Sequence, residues 1–208
     1  MTIVQSRPYP EKDGLRIWLA PEESRQLLEH LEERPRRQLA IRLGLHGLRT
    51  DELVRVTDGD FRELVGADGY VLEISSGKTG AREVPVSETL RQRSRMLKSA
   101  SRITAEDQLI DVSKRSVRKW IADAREILVE DLPEAKALGM HDLRRTWATD
   151  TFYSLAIAGN PIAEELVLSW GGWRHSSTGR QTFRENYLGP VPDHVVADAL
   201  EALPEGPA

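Results

Sequence analysis

Gly139-Met140-His141-Asp142-Leu143-Arg144-Arg145-Thr146-Trp147-Ala148-Thr149 is the stretch on which the fold turns. Read as the start of a helix over residues 141–158, it places His141 and Arg144 at i and i+3, on one face. That spacing joins a proton-transfer group to a fixed cation, the pair needed to bind and activate a phosphate diester. An H-x-x-R pair also occurs by chance at helix starts that hold a hydrogen-bonded histidine, so the surrounding chain has to decide.

On the amino-terminal side, residues 1–18 read as an irregular lead-in with two prolines. Pro21-Glu22-Glu23 opens a helix, with proline at the first position and acids in the first turn. A second helix over 35–46 closes on Gly47, and residues 51–56 suggest a short third. Two β-prone runs, 70–74 and 82–86, flank the turn-forming Ser75-Ser76-Gly77-Lys78-Thr79-Gly80 and predict a β-hairpin. Helical signal resumes at Ser87. From Ser113 onward Val117, Trp120, Ile121, Ala124, Ile127 and Leu128 repeat with helical period. Further helices are predicted over 162–169 and 195–203. The economical reading is mainly α with a small antiparallel β-sheet, an α+β chain in one domain.

Composition narrows the chemistry. The 208 residues include no cysteine, which removes disulfides, thiolate metal ligands and a cysteine nucleophile from consideration. No apolar run nears the ~18 residues of a membrane span, so a cytoplasmic protein without membrane contact is expected. The net charge of −4 is unevenly spread. Residues 76–125 hold twelve Lys/Arg against six Asp/Glu, whereas residues 190–208 hold four acids and no Lys or Arg. A local basic field can attract phosphate on an acidic chain, although a mixed solvated helix face would show the same counts. The 23 arginines against 6 lysines suit bidentate phosphate contacts, and equally a GC-rich genome or a high-salt cytoplasm.

The string His141-Asp142-Leu143-Arg144-Arg145-Thr146 followed by Ala148-Thr149 resembles the HxxR box of the tyrosine recombinases, the phage-integrase family. Four more boxes follow the family's order. Gly44-Leu45-His46-Gly47-Leu48-Arg49 resembles the segment of the first catalytic arginine, and Gly77-Lys78-Thr79-Gly80 the hairpin of the catalytic lysine. Trp170-Gly171-Gly172-Trp173 resembles the place where the family uses His or Trp. Thr182-Phe183-Arg184-Glu185-Asn186-Tyr187-Leu188-Gly189 resembles the nucleophile box. The resemblance implies a catalytic domain over 19–189, followed over 190–208 by a terminal helix and acidic tail.

It further implies a catalytic set of Arg49, Lys78, His141, Arg144, Trp173 and Tyr187, acting on double-stranded DNA. The arginines would contact the non-bridging phosphate oxygens and Trp173 would donate one more hydrogen bond. Tyr187 would attack phosphorus, His141 would handle its proton, and Lys78 would protonate the departing 5′ oxygen. The implied product is a 3′-phosphotyrosyl intermediate, formed without metal, cofactor or ATP by a homo-oligomer assembled on DNA. Each residue also has a plain reading: a surface arginine, a solubilising lysine, packing aromatics. Glu52 reads as an ion-pair partner that orients Arg49.

Several features depart from the family pattern. The interval from Trp173 to Tyr187 spans 14 residues, against roughly nine usual in the family, and the excess at Arg174-His175-Ser176-Ser177-Thr178-Gly179-Arg180 reads as flexible. That predicts a tyrosine on a mobile segment, docked by DNA or a partner protomer. His175 competes with Trp173, and Tyr153 is the second candidate nucleophile. Only some twenty residues precede the first helix, where the family usually has a separate DNA-binding domain, so weak DNA binding is expected. The terminal helix packs in cis or on a neighbouring protomer. Two other functions remain open at this stage: a non-catalytic DNA-binding relative, and a type IB topoisomerase-like enzyme.

Overall fold

The computed structural model describes residues 5–9, 13–77 and 80–202. Lys78 therefore lies outside the described residues, as do Leu203 and the end of the acidic tail.

The lead-in is not irregular. β1 (Gln5–Pro8) and β2 (Leu15–Trp18) form an antiparallel ribbon, with Ser6 opposite Ile17 and Arg7 opposite Arg16. The reason is tertiary. Ile17 and Trp18 are buried, and the amides of Ile17 and Leu19 donate to the Asp142 carboxylate (3.1 Å) and the Thr146 hydroxyl (3.0 Å). Four-residue strands of mixed charge carry little signal of their own.

Helices α1 (Pro21–His30) and α2 (Pro35–Gly44) both begin at proline, as expected of a residue whose missing N–H costs nothing there. After α2 the chain reverses at Gly47, whose φ is +84°. It then enters the short α3 (Thr50–Leu53), with Arg49 in the capping position. A 3-10 turn, Asp58–Asp60, leads into a sheet of three strands rather than the expected two. β3 (Phe61–Glu63), β4 (Tyr70–Gly77) and β5 (Gly80–Val86) pair antiparallel in that order.

Ser87 caps α4 (Glu88–Ser101) by accepting from the Leu90 amide at 3.2 Å, and Ser113 caps α5 (Lys114–Ala124) in the same way. The helix expected to continue through Leu128 breaks at Arg125 and resumes as α6 (Glu126–Val129). Part of the basic segment is consumed internally: Arg91 and Lys98 both hold the buried Asp58 carboxylate.

The spine is α7 (Met140–Ile157), which packs against β2, α2, α5, α8 and α10. Its residues from Asp142 to Thr149 are all buried. α8 (Ala163–Gly171) leans on β5, so the sheet edge and the α7 spine meet at the carboxyl end of α8. α9 (Ser177–Asn186) and α10 (Asp193–Ala202) complete the described chain. α10 packs on α7 within the same chain through the buried Val195, leaving Val196 and Leu200 exposed. No described helix is long and apolar enough to cross a membrane.

Candidate active site

The site is organised by backbone carbonyls at the end of α8. Three in succession accept from three arginines of different elements. The Trp170 carbonyl accepts from Arg82 Nε at 2.7 Å, the Gly171 carbonyl from Arg144, and the Gly172 carbonyl from Arg49 at 3.2 Å. Arg144 also donates to the Gly47 carbonyl, just ahead of Arg49. Three cations are thus held side by side, each with a backbone carbonyl among its acceptors. The sequence Trp-Gly-Gly-Trp suits this geometry. A Cβ at Gly171 would fall 1.8 Å from the Trp173 ring, and Gly172 takes φ +65° to end α8.

One carboxylate serves two of these arginines. Glu52, fully buried, accepts from Arg49 at 2.8 Å and from both terminal nitrogens of Arg82 at 2.7 Å each. Its second oxygen also takes the Arg49 amide at 2.7 Å, so the same group caps α3 and fixes the arginine before it. Burial alone would raise the Glu52 pKa, but the Arg82 hydrogen bonds and charge, then those of Arg49, outweigh it and hold it down to about 2. The folded value lies below the ordinary 4.5, so this carboxylate's contribution to stability is complete above pH 4.5 and drains away as pH falls toward 2. Glu52→Gln is expected to cost about 3–5 kcal/mol at neutral pH, because it leaves the buried Arg82 and the half-buried Arg49 guanidiniums without their acid. It should also flatten the acid limb of a denaturation-against-pH curve.

Arg82 did not emerge from the sequence, although a signal was there. Strand period two puts it on the face of the buried Val84 and Val86, so its guanidinium points inward with them.

Arg144 is the most constrained member, with no exposed surface. Among the described residues it has no carboxylate partner, only the two carbonyls, and its Nε lacks any acceptor. Burial, then the Arg49 charge, pushes its pKa down to about 9. A buried cation held by dipoles alone keeps a charge that its hydrogen-bond partners do not neutralise.

The aromatic residues close over this cation. The Arg144 guanidinium lies 4.3 Å from the Trp173 ring and 5.6 Å from the Tyr187 ring. Trp173 meets Tyr187 edge-on at 4.5 Å and stacks on Trp147 at 6.4 Å. His141, exposed in the first turn of α7, stands edge-on to Tyr187 at 5.0 Å. Tyr187 is itself anchored by its carbonyl, which accepts from Trp18 Nε1 at 2.9 Å and Thr149 Oγ1 at 3.0 Å.

Arg49, His141, Arg144, Trp173 and Tyr187 therefore sit together, while Lys78 belongs to the hairpin tip outside the described residues. The flexible segment expected after Trp173 is instead structured. Ser176 caps α9, and the helix uses the long interval to return Tyr187 onto Trp173 in the same chain. His175 turns to the Ser169 hydroxyl (2.9 Å) and lines a groove of about 450 Å³ between β5 and the end of α8. Tyr153, the other candidate nucleophile, is nine residues along α7 from Arg144, about 14 Å of helix rise. It donates to the Gly189 carbonyl at 3.4 Å.

The fold, a three-stranded antiparallel sheet set beside a buried helix spine, is found among solved structures. The XerA recombinase is similar over 91% of this chain and 66% of its own, with a TM-score of 0.63 and 19% identity. The Tn1549 transposon integrase, solved with transposon right-end DNA, is similar over 94% of this chain and 68% of its own, with a TM-score of 0.57 and 17% identity. The XerH site-specific recombinase bound to palindromic difH covers 81% of this chain and 51% of its own, with a TM-score of 0.59 and 18% identity. The chain thus spans about half to two thirds of the length of these proteins. It has the tyrosine recombinase catalytic-domain fold. Neither a protein-family model nor a curated protein sequence matches it.

Proposed function

We propose that this chain is a DNA strand-cleaving and strand-joining enzyme, a site-specific recombinase or integrase acting through Tyr187. The observation that carries the reading is the buried Arg144, which has only carbonyl partners and lies against the Tyr187 ring beside Arg49. A phosphodiester would bring to this cluster the anion it lacks. The similar proteins include a transposon integrase and a recombinase solved with DNA, which supports double-stranded DNA as substrate.

In this scheme Arg49 and Arg144 take the two non-bridging oxygens and stabilise the charge that grows on them in the transition state. The Tyr187 oxygen attacks phosphorus in line with the 5′ oxygen, and His141 accepts the phenol proton. The P–O5′ bond breaks as the O–P bond to tyrosine forms, and Lys78 supplies the proton that the 5′ oxygen acquires. Bond count is conserved, so a 5′ hydroxyl from the same or another strand reverses the step without ATP. Exposed Lys114, Arg115, Arg118 and Lys119 on α5 supply charge for the flanking backbone.

The test is a duplex nicked near the scissile bond, so that the short 5′ fragment diffuses away after cleavage. The chain should form a denaturation-stable protein–DNA adduct on the 3′ end. Failure to trap any adduct across a panel of integrated-element junctions would overturn the reading. Relaxation of supercoils without exchange of marked sites would assign the chain to topoisomerase-like chemistry instead.

A further inference from the structure

The last carbonyls of a helix lack intrahelical donors and usually face water. At the end of α9 they do not. The Glu185 carbonyl accepts from Arg16 at 2.5 Å, and the Asn186 carbonyl from Arg145 Nε at 2.9 Å. The Tyr187 carbonyl accepts from both Trp18 and Thr149. Four side chains thus grip three successive peptides, the last being that of the proposed nucleophile. Two of the four come from β2, about 170 residues away in sequence.

We infer that the β1–β2 ribbon is a clamp on the tyrosine segment, with Arg16 and Trp18 as positioning residues that set where Tyr187 stands. The inference rests on the reading of Tyr187 as nucleophile, and it assigns a task to a part of the chain that reading leaves unused.

The clamp is built rather than incidental. A strand at the edge of the molecule normally turns its arginines to water, yet Arg16 of β2 is 8% exposed, and Arg145 of α7 beside it is 3% exposed. The two guanidiniums share one site: Arg145 pairs with Asp142, and both lie over the Tyr9 ring, at 5.9 Å for Arg16 and 5.1 Å for Arg145. Burial, then repulsion from Arg145, lowers the Arg16 pKa. This cost is offset by carbonyls at the negative end of α9. The fit is close. A Cβ at Gly189 would lie 2.7 Å from Trp18 Nε1, so the chain leaving Tyr187 runs flush against the indole. The other side of β2 is tied to α7 through Asp142 and Thr146. The ribbon is therefore wedged between the helix carrying His141 and Arg144 and the segment carrying Tyr187. In-line attack tolerates little displacement, since about 1 Å of misplacement can cost on the order of 10²-fold.

The test compares Arg16→Met, Arg16→Lys and Trp18→Phe in the full chain. Readouts are single-turnover adduct formation on the nicked duplex, DNA affinity, and hydrogen exchange at the amides of Tyr187, Leu188 and Gly189. Arg16→Met and Trp18→Phe should each slow adduct formation about tenfold, the loss of one net hydrogen bond. DNA affinity should stay within about twofold, and exchange at 187–189 should quicken. Arg16→Lys still donates to the Glu185 carbonyl and should recover most of the rate, which simple loss of packing would not allow. Equal impairment in Arg16→Lys and Arg16→Met, or unchanged exchange at 187–189, would overturn the clamp. Should Trp18→Phe fail to fold, the Arg16 pair decides. If the unmodified chain forms no adduct at all, the nucleophile reading fails, while the exchange data still uphold or overturn the clamp.

Discussion

Tyr187→Phe is expected to abolish covalent capture of DNA, by on the order of 10³-fold or more, with DNA affinity unchanged within about twofold. The substitution is unusually clean here. The ring of Tyr187 packs against Trp173 and His141, and the segment is held by its backbone carbonyl rather than by the phenol. Phenylalanine keeps every one of those contacts and loses only the oxygen that would attack phosphorus. Tyr153, the other candidate nucleophile, faces Gly189 further along α7. Residual adduct in this variant would mean that a different side chain attacks.

Arg144→Ala is expected to lower the cleavage rate by about 10²–10³-fold, the range for removing a pre-placed donor to developing negative charge. Its two carbonyl anchors fix the guanidinium in place before DNA arrives, and the aromatic cover of Trp173 and Tyr187 must shift for phosphate to reach it. Arg144→Lys should rescue little of this. One ammonium cannot reach the Gly47 and Gly171 carbonyls together and still present a planar fork to phosphate. Single-turnover rates set against DNA affinity check the claim. A loss appearing only in affinity would make Arg144 a ground-state binder rather than a transition-state group.

The parts of the fold legible in the sequence are those where local preference and tertiary packing agree. The proline starts of α1 and α2, the serine caps of α4 and α5, and the apolar stripe of Val117, Ile121 and Ala124 all form where their pattern requires. The candidate site is legible only in five ordered boxes taken together, since each arginine, tryptophan and tyrosine alone also has a plain packing or surface reading. The structure brings Arg49, His141, Arg144, Trp173 and Tyr187 together. Two regions misled for opposite reasons. Ser176-Ser177-Thr178-Gly179 has loop composition, but Ser176 is a helix cap and Phe183 supplies α9 with its one fully buried apolar anchor. The β1–β2 ribbon looks polar, yet its Arg16 is spent inside the protein on the Glu185 and Pro8 carbonyls, which no local rule reveals. The same device recurs in the site, where the carbonyls of 170–172 hold Arg82, Arg144 and Arg49. Arginine–carbonyl pairs between distant segments leave no periodicity, so they escape a reading of one chain.

The most direct test of the account is to digest the adduct trapped on nicked DNA and locate the modified residue by mass spectrometry. The account predicts a nucleotide remnant on the phenolic oxygen of Tyr187 and on no other tyrosine. A remnant on Tyr153, or on any serine or histidine, would contradict it.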